Sequence, residues 1–364
     1  MIEKRFALWM ALGVMLLGGL LGVRYWWDAG NLFGDRGIPN SGEESREKKI
    51  PFRPETVGWE EVASSTPWGP RDSHAIQVFR DKIWIIGGLN ANGVPHSVGR
   101  VPYEKAEYFN DVWYSDDGIT WVRAAEHAPW PPARSQHLVA FNGKLFLFGG
   151  WGPDGYIKDA WMSEDGISWK SVPLEGGLPE LEGADVIVFR NKLFLLGGVR
   201  YTDRKIFNQV WSSDDGVSWT LENADAPWFP RWDHAVAEFN GSLWLWGGMD
   251  LAGNEFNDVW KSGDGVEWER VAEHAPWQAR QGHTALVYQN RMWSIGRLND
   301  DLMKGENDIW FTEDGYVWEK TNSDPPWLGR EDHGAVVFRD RMWVLGGMDR
   351  NWNWEGDVWR SVFP

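Results

Sequence analysis

Five arginines each stand three residues before a histidine: Arg71 and His74, Arg134 and His137, Arg231 and His234, Arg280 and His283, Arg330 and His333. A guanidinium offers a planar fork of donors that suits a carboxylate, sulfate or phosphate. An imidazole beside it can hold or release a proton near neutral pH. Gathered around one opening, these pairs would form an anion-attracting mouth on a chain whose net charge is −17. The plainer alternative puts each arginine over the tryptophan that precedes it, with each histidine satisfying loop backbone. Repetition favours that alternative, because a site needs one set of residues and a structural role needs one per repeat. The histidines are about one repeat apart, so no metal-ligand spacing occurs. The chain has no cysteine, which excludes disulfides, thiol catalysis and cysteine metal sites. No metal or cofactor is expected.

The pairs belong to a longer unit written six times. It runs Pro-Trp, Arg-x-x-His, an apolar run ending in Gly-Gly, Asn-Asp-Val-Trp, then Ser-x-Asp-Gly-x-x-Trp. The fourth copy reads Pro227-Trp228, Arg231, His234, Gly247-Gly248, Asn257-Asp258-Val259-Trp260, Ser262, Asp264-Gly265, Trp268. The first glycines, at Gly87, Gly149, Gly197, Gly247, Gly296 and Gly346, recur about every 50 residues. Each unit reads as four short strands. In the first, His74 to Phe79 and Ile83 to Ile86 flank the turn Arg80-Asp81-Lys82, and Asp111 to Ser115 and Ile119 to Val122 flank Asp117-Gly118. Asp-Gly between two such runs is a hairpin signal, since both residues accept positive φ.

Residues 57 to 364 thereby resemble kelch repeats, on the Gly-Gly pair and the two spaced tryptophans of each unit. The resemblance implies an all-β, six-bladed propeller of the galactose oxidase-like, kelch type. Repeat 5 departs with Gly296-Arg297, and repeat 3 has Leu181 and Ala184 where arginine and histidine stand elsewhere. Most of the 29 tryptophans fall at repeated places, such as Trp113, Trp161, Trp211, Trp260, Trp310 and Trp359. They are read as packing between blades. The sixth unit runs out after its third strand, Asp357 to Ser361. Val57-Gly58-Trp59-Glu60-Glu61-Val62 matches a fourth strand without its first three, so the N-terminal strand should close the last blade.

The Asp-Gly hairpins also resemble sialidase Asp-boxes, which implies a structural role for Asp117, Asp165, Asp215, Asp264 and Asp314. Galactose oxidase chemistry needs a Tyr-Cys cross-link, which this chain cannot form. The six-bladed kelch epimerase of N-acetylneuraminate is the enzyme most similar in form. That likeness implies a Glu and an Arg around a sugar carboxylate, with Glu104, Glu107 or Glu180 beside Arg134 or Arg231 as candidates and no catalytic residue selected among them.

Breaks in the symmetry point to binding. Blade 1 carries a long insertion, Leu89 to Phe109, with His96, Tyr103 and Tyr108. Blade 3 places Glu180, Glu182 and Asp185 near its missing arginine and histidine. Trp151, Tyr201 and Trp352 add aromatics to the same face. Loops inserted on a rigid scaffold are where binding resides. The expected function is a non-catalytic module for a protein partner or an anionic glycan, and the alternative is a sugar-active enzyme of the epimerase type. The net charge of −17 and pI near 4.9 argue against nucleic acid.

Ahead of the repeats, Phe6 to Val23 carries no charge and follows Lys4-Arg5. Its length suits a single transmembrane helix within an anchor segment 1–27, with Trp26 and Trp27 at the interface. Membrane contact is expected through this helix only. Residues 28–56 read as a flexible linker. The propeller is expected outside the cytoplasm, tethered, or secreted if the segment is a cleaved signal peptide.

Overall fold

The computed structural model describes residues 52–95, 103–297 and 307–363. The anchor Phe6–Val23 and His96 lie outside them, and no helix among the described residues is long and apolar enough to cross a membrane. Residues 51–364 form one compact unit. Within it, six antiparallel sheets of four or more strands are the blades. Blade 1 comprises Ala75–Phe79, Lys82–Ile86, Val112–Ser115 and Trp121–Ala125, in that order from the axis outward. The first strands of successive blades touch one another all the way round, blade 6 meeting blade 1.

The ring closes as the split repeat requires. Gly58–Ala63 pairs antiparallel with Trp354–Val362, with Gly58 opposite Val362, Trp59 opposite Ser361 and Glu61 opposite Trp359. The last blade is thus sealed by the first of the described strands.

Turn chemistry fixes the short hairpins. Arg80 and Asp81 have φ of 50° and 56°, and Asn142 and Gly143 have 49° and 74°, the conformation a two-residue hairpin demands. Between third and fourth strands, Asp117 Oδ1 accepts the N–H groups of Ile119 at 2.8 Å and Thr120 at 2.7 Å. Ser115 Oγ accepts the N–H of Gly118 at 2.8 Å. Asp165, Asp215, Asp264 and Asp314 repeat the arrangement. This winding consumes Ile119 and Thr120, so the fourth strand starts at Trp121 rather than at Ile119.

The glycine of each such turn has a packing reason. A Cβ on Gly118 would stand 2.5 Å from the ring of Trp343, and one on Gly265 would stand 2.5 Å from Phe194. The second-strand aromatic of one blade lies under the turn of the next, interlocking them. The Gly-Gly pair has the same logic nearer the axis. A Cβ on Gly197 would meet the Arg231 carbonyl oxygen at 2.7 Å and His234 at 2.8 Å. Both glycines of that pair also have positive φ, 63° and 100°.

Candidate functional site

Four of the five arginines turn into their own blades. Arg71, Arg231, Arg280 and Arg330 are buried, none more than 2% exposed. Each pairs with the aspartate that opens the third strand: Arg71 with Asp111 at 2.7 Å, Arg231 with Asp258 at 2.6 Å, Arg280 with Asp308 at 3.0 Å, Arg330 with Asp357 at 2.6 Å. Each also donates to the carbonyl of the first glycine, as Arg231 does to Gly247 at 2.8 Å. The third-strand tryptophan donates its indole N–H to the same aspartate, Trp260 to Asp258 at 2.7 Å. Arg71 lies 4.1 Å over Phe109 and 5.8 Å over Trp68. Arg280 and Arg330 lie over Trp277 and Trp327. These guanidiniums are already neutralised and hold strand to loop. They do not form the expected ring of open arginines.

Their histidines are buried as well. His74, His234, His283 and His333 wedge under the first glycine, Gly346, Gly197, Gly247 or Gly296, of the neighbouring blade. Burial above all, then the nearby arginine, drives the His74 and His333 pKa down to about 3 and those of His234 and His283 well below the ordinary value. They are neutral wedges.

Blade 2 breaks this pattern by one residue. In the four regular blades arginine follows the loop tryptophan by three positions and precedes the first glycine by 16. In blade 2 that place belongs to Ala133, which is wholly buried. Arg134 therefore takes the place that Asp72 has in blade 1, as matching bridges show: Asp72 to Leu89, Arg134 to Trp151, and Glu182 to Val199 in blade 3. Gln136 takes the wedge position, and His137 faces the channel instead. Asp159, freed of its arginine, accepts a hydrogen bond from Ser171 at 2.8 Å. Blade 3 replaces both charges, with Leu181 for arginine and Gln209 for aspartate. Trp211 donates to Gln209 at 3.1 Å.

The residues between arginine and histidine build the mouth. Ser73, Ser135, Gly183, Asp233, Gly282 and Asp332 all have positive φ and join blade to blade by backbone. Ser135 N–H donates to Ser73 C=O at 2.8 Å, Ser73 to Asp332 at 2.8 Å, Asp332 to Gly282 at 2.8 Å, Gly282 to Asp233 at 3.1 Å and Asp233 to Gly183 at 3.0 Å. These six residues ring the axis, linked by backbone at five of their six junctions. One residue before each, facing the loops, come Asp72, Arg134, Glu182, Trp232, Gln281 and Glu331.

Five carboxylates, Asp72, Glu182, Asp233, Glu331 and Asp332, meet here around Arg134. Arg134 Nε lies 3.3 Å from Glu182 Oε2, with the Tyr103 ring 4.2 Å from the guanidinium. Ser73 Oγ donates to Asp332 Oδ2 at 2.9 Å, and Gln281 donates to Glu331. Burial first, then Asp332, pushes Asp72, Asp233 and Glu331 well above the ordinary carboxylate range. Burial raises Asp332 and Glu182 too, the latter in spite of Arg134. Burial opposes the Arg134 charge, but Glu182 above all, with Tyr103, Tyr108 and Asp72, holds its pKa above the usual value.

The expected rim residues other than His96 lie around this cluster. Tyr103 and Tyr108 come from the blade 1 insertion, which packs with Trp352 and Trp354 of blade 6. Asn92 of the insertion exchanges hydrogen bonds with the Trp354 backbone at 2.9 and 3.0 Å. Tyr108 meets Trp151 edge-on at 5.9 Å, and Tyr201 meets Trp232 edge-on at 5.6 Å. Beyond the backbone ring lies an axial channel of about 270 Å³, lined by His137, Asp185, Asp233, Thr284 and Asp332 among others. His137 Nδ1 stands 4.0 Å from Asp185 Oδ1. Burial lowers the His137 pKa to about 4 and raises that of Asp185 to about 7. Among the described residues no group of histidines and carboxylates has the form of a metal site.

Asp72, Trp232, Gln281, Glu331 and Asp332 were not singled out from the sequence. The available signal was their variability: they fill the two x positions of Arg-x-x-His, and counting from the tryptophan to the Gly-Gly pair would have set Arg134 among them.

Comparison with known proteins agrees with this architecture. The KLHDC2/KLHL20/DRC7 Kelch-repeats domain matches residues 37–220 and again 183–361. The solved structure of YjhT superposes with a TM-score of 0.63 at 17% identity, covering 83% of this chain and 96% of that one, a likeness of fold. A stretch of 110 residues, 29% of this chain, is 31% identical to the flagellar outer arm dynein alpha chain of Chlamydomonas reinhardtii. That stretch spans 2% of the dynein's length. On the family match and six blades closed by the N-terminal strand, the chain belongs to the kelch-repeat family.

Proposed function

We propose that this propeller is a binding module that takes a protein partner on its loop face. The observation that carries this reading is the contrast between its two faces. The loop face gathers a built, asymmetric cluster of Arg134, five carboxylates, Tyr103, Tyr201 and Trp232 from different blades. The opposite face repeats the same tight hairpins from blade to blade. Kelch propellers as a group mediate protein interactions, and loops on a rigid scaffold supply the specificity.

A sugar-active enzyme of the epimerase type is the second reading. It draws on one contact, a guanidinium 3.3 Å from a carboxyl whose pKa burial has raised. An anionic sugar, however, would find that guanidinium engaged by Glu182 and further carboxylates close by, so the partner reading is preferred over an anionic glycan. The same proposal keeps Phe6–Val23 as a membrane tether with the propeller outside the cytoplasm. N-terminal sequencing of membrane-fraction protein checks it, and a mature terminus beyond Val23 would mean a cleaved signal.

A photo-crosslinking residue placed at Tyr201, 39% exposed on the loop face, should give discrete adducts in the native cell. The same residue at Ile167, 54% exposed on a hairpin, should give none. Adducts from Ile167 alone would overturn the reading.

A further inference from the structure

We propose that the loop-face mouth seats a basic side chain, the ammonium of a lysine or the guanidinium of an arginine, presented by the partner protein. The inference rests on the binding reading above and names the chemistry the seat selects.

Three observations converge on it. First, five carboxylates from four blades share one small region. Asp72 comes from blade 1, Glu182 from blade 3, Asp233 from blade 4, and Glu331 and Asp332 from the start of blade 6; Arg134 of blade 2 is held by Glu182. Gln281 of blade 5 is tied to Glu331. Second, hydrogen-bonding capacity is left over. Glu182 Oε1 has no donor, although Glu182 is 1% exposed, and the Asp72 carboxyl, 2% exposed, has only Ser73 and the Trp354 indole beside it. A buried carboxylate oxygen without a donor costs free energy that a cationic donor would recover. Asp233 and Asp332, in the ring itself, are only partly buried and also line the axial channel on its far side, so this end of the cluster is not sealed. Third, the walls are aromatic. Tyr103 already stacks on the Arg134 guanidinium at 4.2 Å, and Trp232 with Tyr201 offers further ring surface. Aromatic faces beside carboxylates are the surroundings that cations favour.

The raised carboxylate pKa values agree with this geometry. They reflect burial first and the neighbouring Asp332 second, and a bound cation would offset both. The four buried Arg–Asp pairs show how the same fold treats a guanidinium that it intends to keep: a carboxylate and a glycine carbonyl meet it at 2.6–3.4 Å. At the mouth the acceptors are gathered from several blades, and Arg134 pairs with one of them, Glu182.

The test uses the whole chain and two probes, the peptide acetyl-Gly-Lys-Gly-amide and its Nε-acetyl-lysine counterpart, titrated by calorimetry. The lysine peptide should bind at least tenfold more tightly than the acetylated one. Asp233→Asn combined with Asp332→Asn should weaken the lysine peptide at least tenfold. Replacing Arg80→Gln on the hairpin face should change nothing. The asparagine pair removes like-charge repulsion, so folding should persist, and an unchanged circular dichroism spectrum and melting curve will establish that. Equal binding of the two peptides would overturn the inference, as would lysine-peptide binding that the asparagine pair leaves intact. So would no saturation below about 10 mM, too weak for a specific seat. If crosslinks form at Tyr201 while the peptides fail to discriminate, the basic side chain is wrong and the partner-binding face stands. If crosslinks form only at Ile167, the face itself is wrong.

Discussion

Arg231 and Arg134 sit in the same Arg-x-x-His motif with different surroundings. Arg231 is fully buried, clamped by Asp258 at 2.6 Å and by the Gly247 carbonyl at 2.8 Å. Arg134 lies one position later relative to its loop tryptophan and to its glycine pair, and so faces the axis beside Glu182 and under Tyr103. A one-residue slip, with no change of residue type, moves a guanidinium from the inside of a blade to the mouth of the ring. Position in the repeat, more than the motif itself, decides whether a charge holds the fold or meets a ligand.

The sharpest way to break this comparison is truncation. Arg231→Ala should cost about 3–5 kcal/mol by denaturant unfolding, because it removes a wholly buried guanidinium and leaves the partly buried Asp258 without its partner. Arg134→Ala should cost less, about 1–3 kcal/mol, since burial already biases its partner Glu182 toward the protonated form. Equal losses at the two sites would erase the distinction.

Blade 3 supplies the next test, as a natural double replacement. Arg231→Leu combined with Asp258→Gln copies Leu181 and Gln209. The pair should fall within about 1 kcal/mol of the unaltered chain, since a buried ion pair is often replaceable as a unit. Single and double variants that lose the same stability would mean that the ion pair is not a unit.

The smallest effects are in pH dependence, and the two regions should answer with opposite signs. His74 is held near pKa 3 when folded, below the unfolded value of about 6.5. Its contribution is present above pH 6.5 and is lost as pH falls toward 3. His74→Gln, the residue blade 2 uses at this place, should lessen acid lability in that window. Asp185 is raised to about 7 by burial. Its contribution is present below the ordinary carboxylate range and is lost as pH rises through 7. Asp185→Asn should therefore raise stability relative to wild type above pH 7 and leave it unchanged near pH 3. Melting curves across pH check both, and parallel profiles for all three proteins would contradict these assignments.

The fold was legible because its causes repeat. Gly197, Asp264 and Trp260 each answer a local demand that recurs in blade after blade: space beside a neighbour's histidine, acceptors in a turn, an aromatic between sheets. The closing strand was legible for the same reason, as the missing fourth of one unit. The mouth was not. Its residues, Asp72, Trp232 and Glu331 among them, vary from copy to copy, so a reader looking for the common sentence passes over them. Arg134 was found for the wrong reason, as a fifth member of a set to which it does not belong. Tyr103 and Tyr201 were found through broken symmetry, the one signal that belongs to a site.

The seal between Gly58–Ala63 and Trp354–Val362 also sets an order of events. Of the described strands, the closing strand is made first and its partner last. Through nearly the whole of synthesis that strand has no sheet to join, and the growing propeller keeps an open flank. Contacts so distant in sequence form slowly, and unpaired edges invite association with other chains. A nascent chain of this protein thus remains unfinished, and in need of protection, until its final strand emerges.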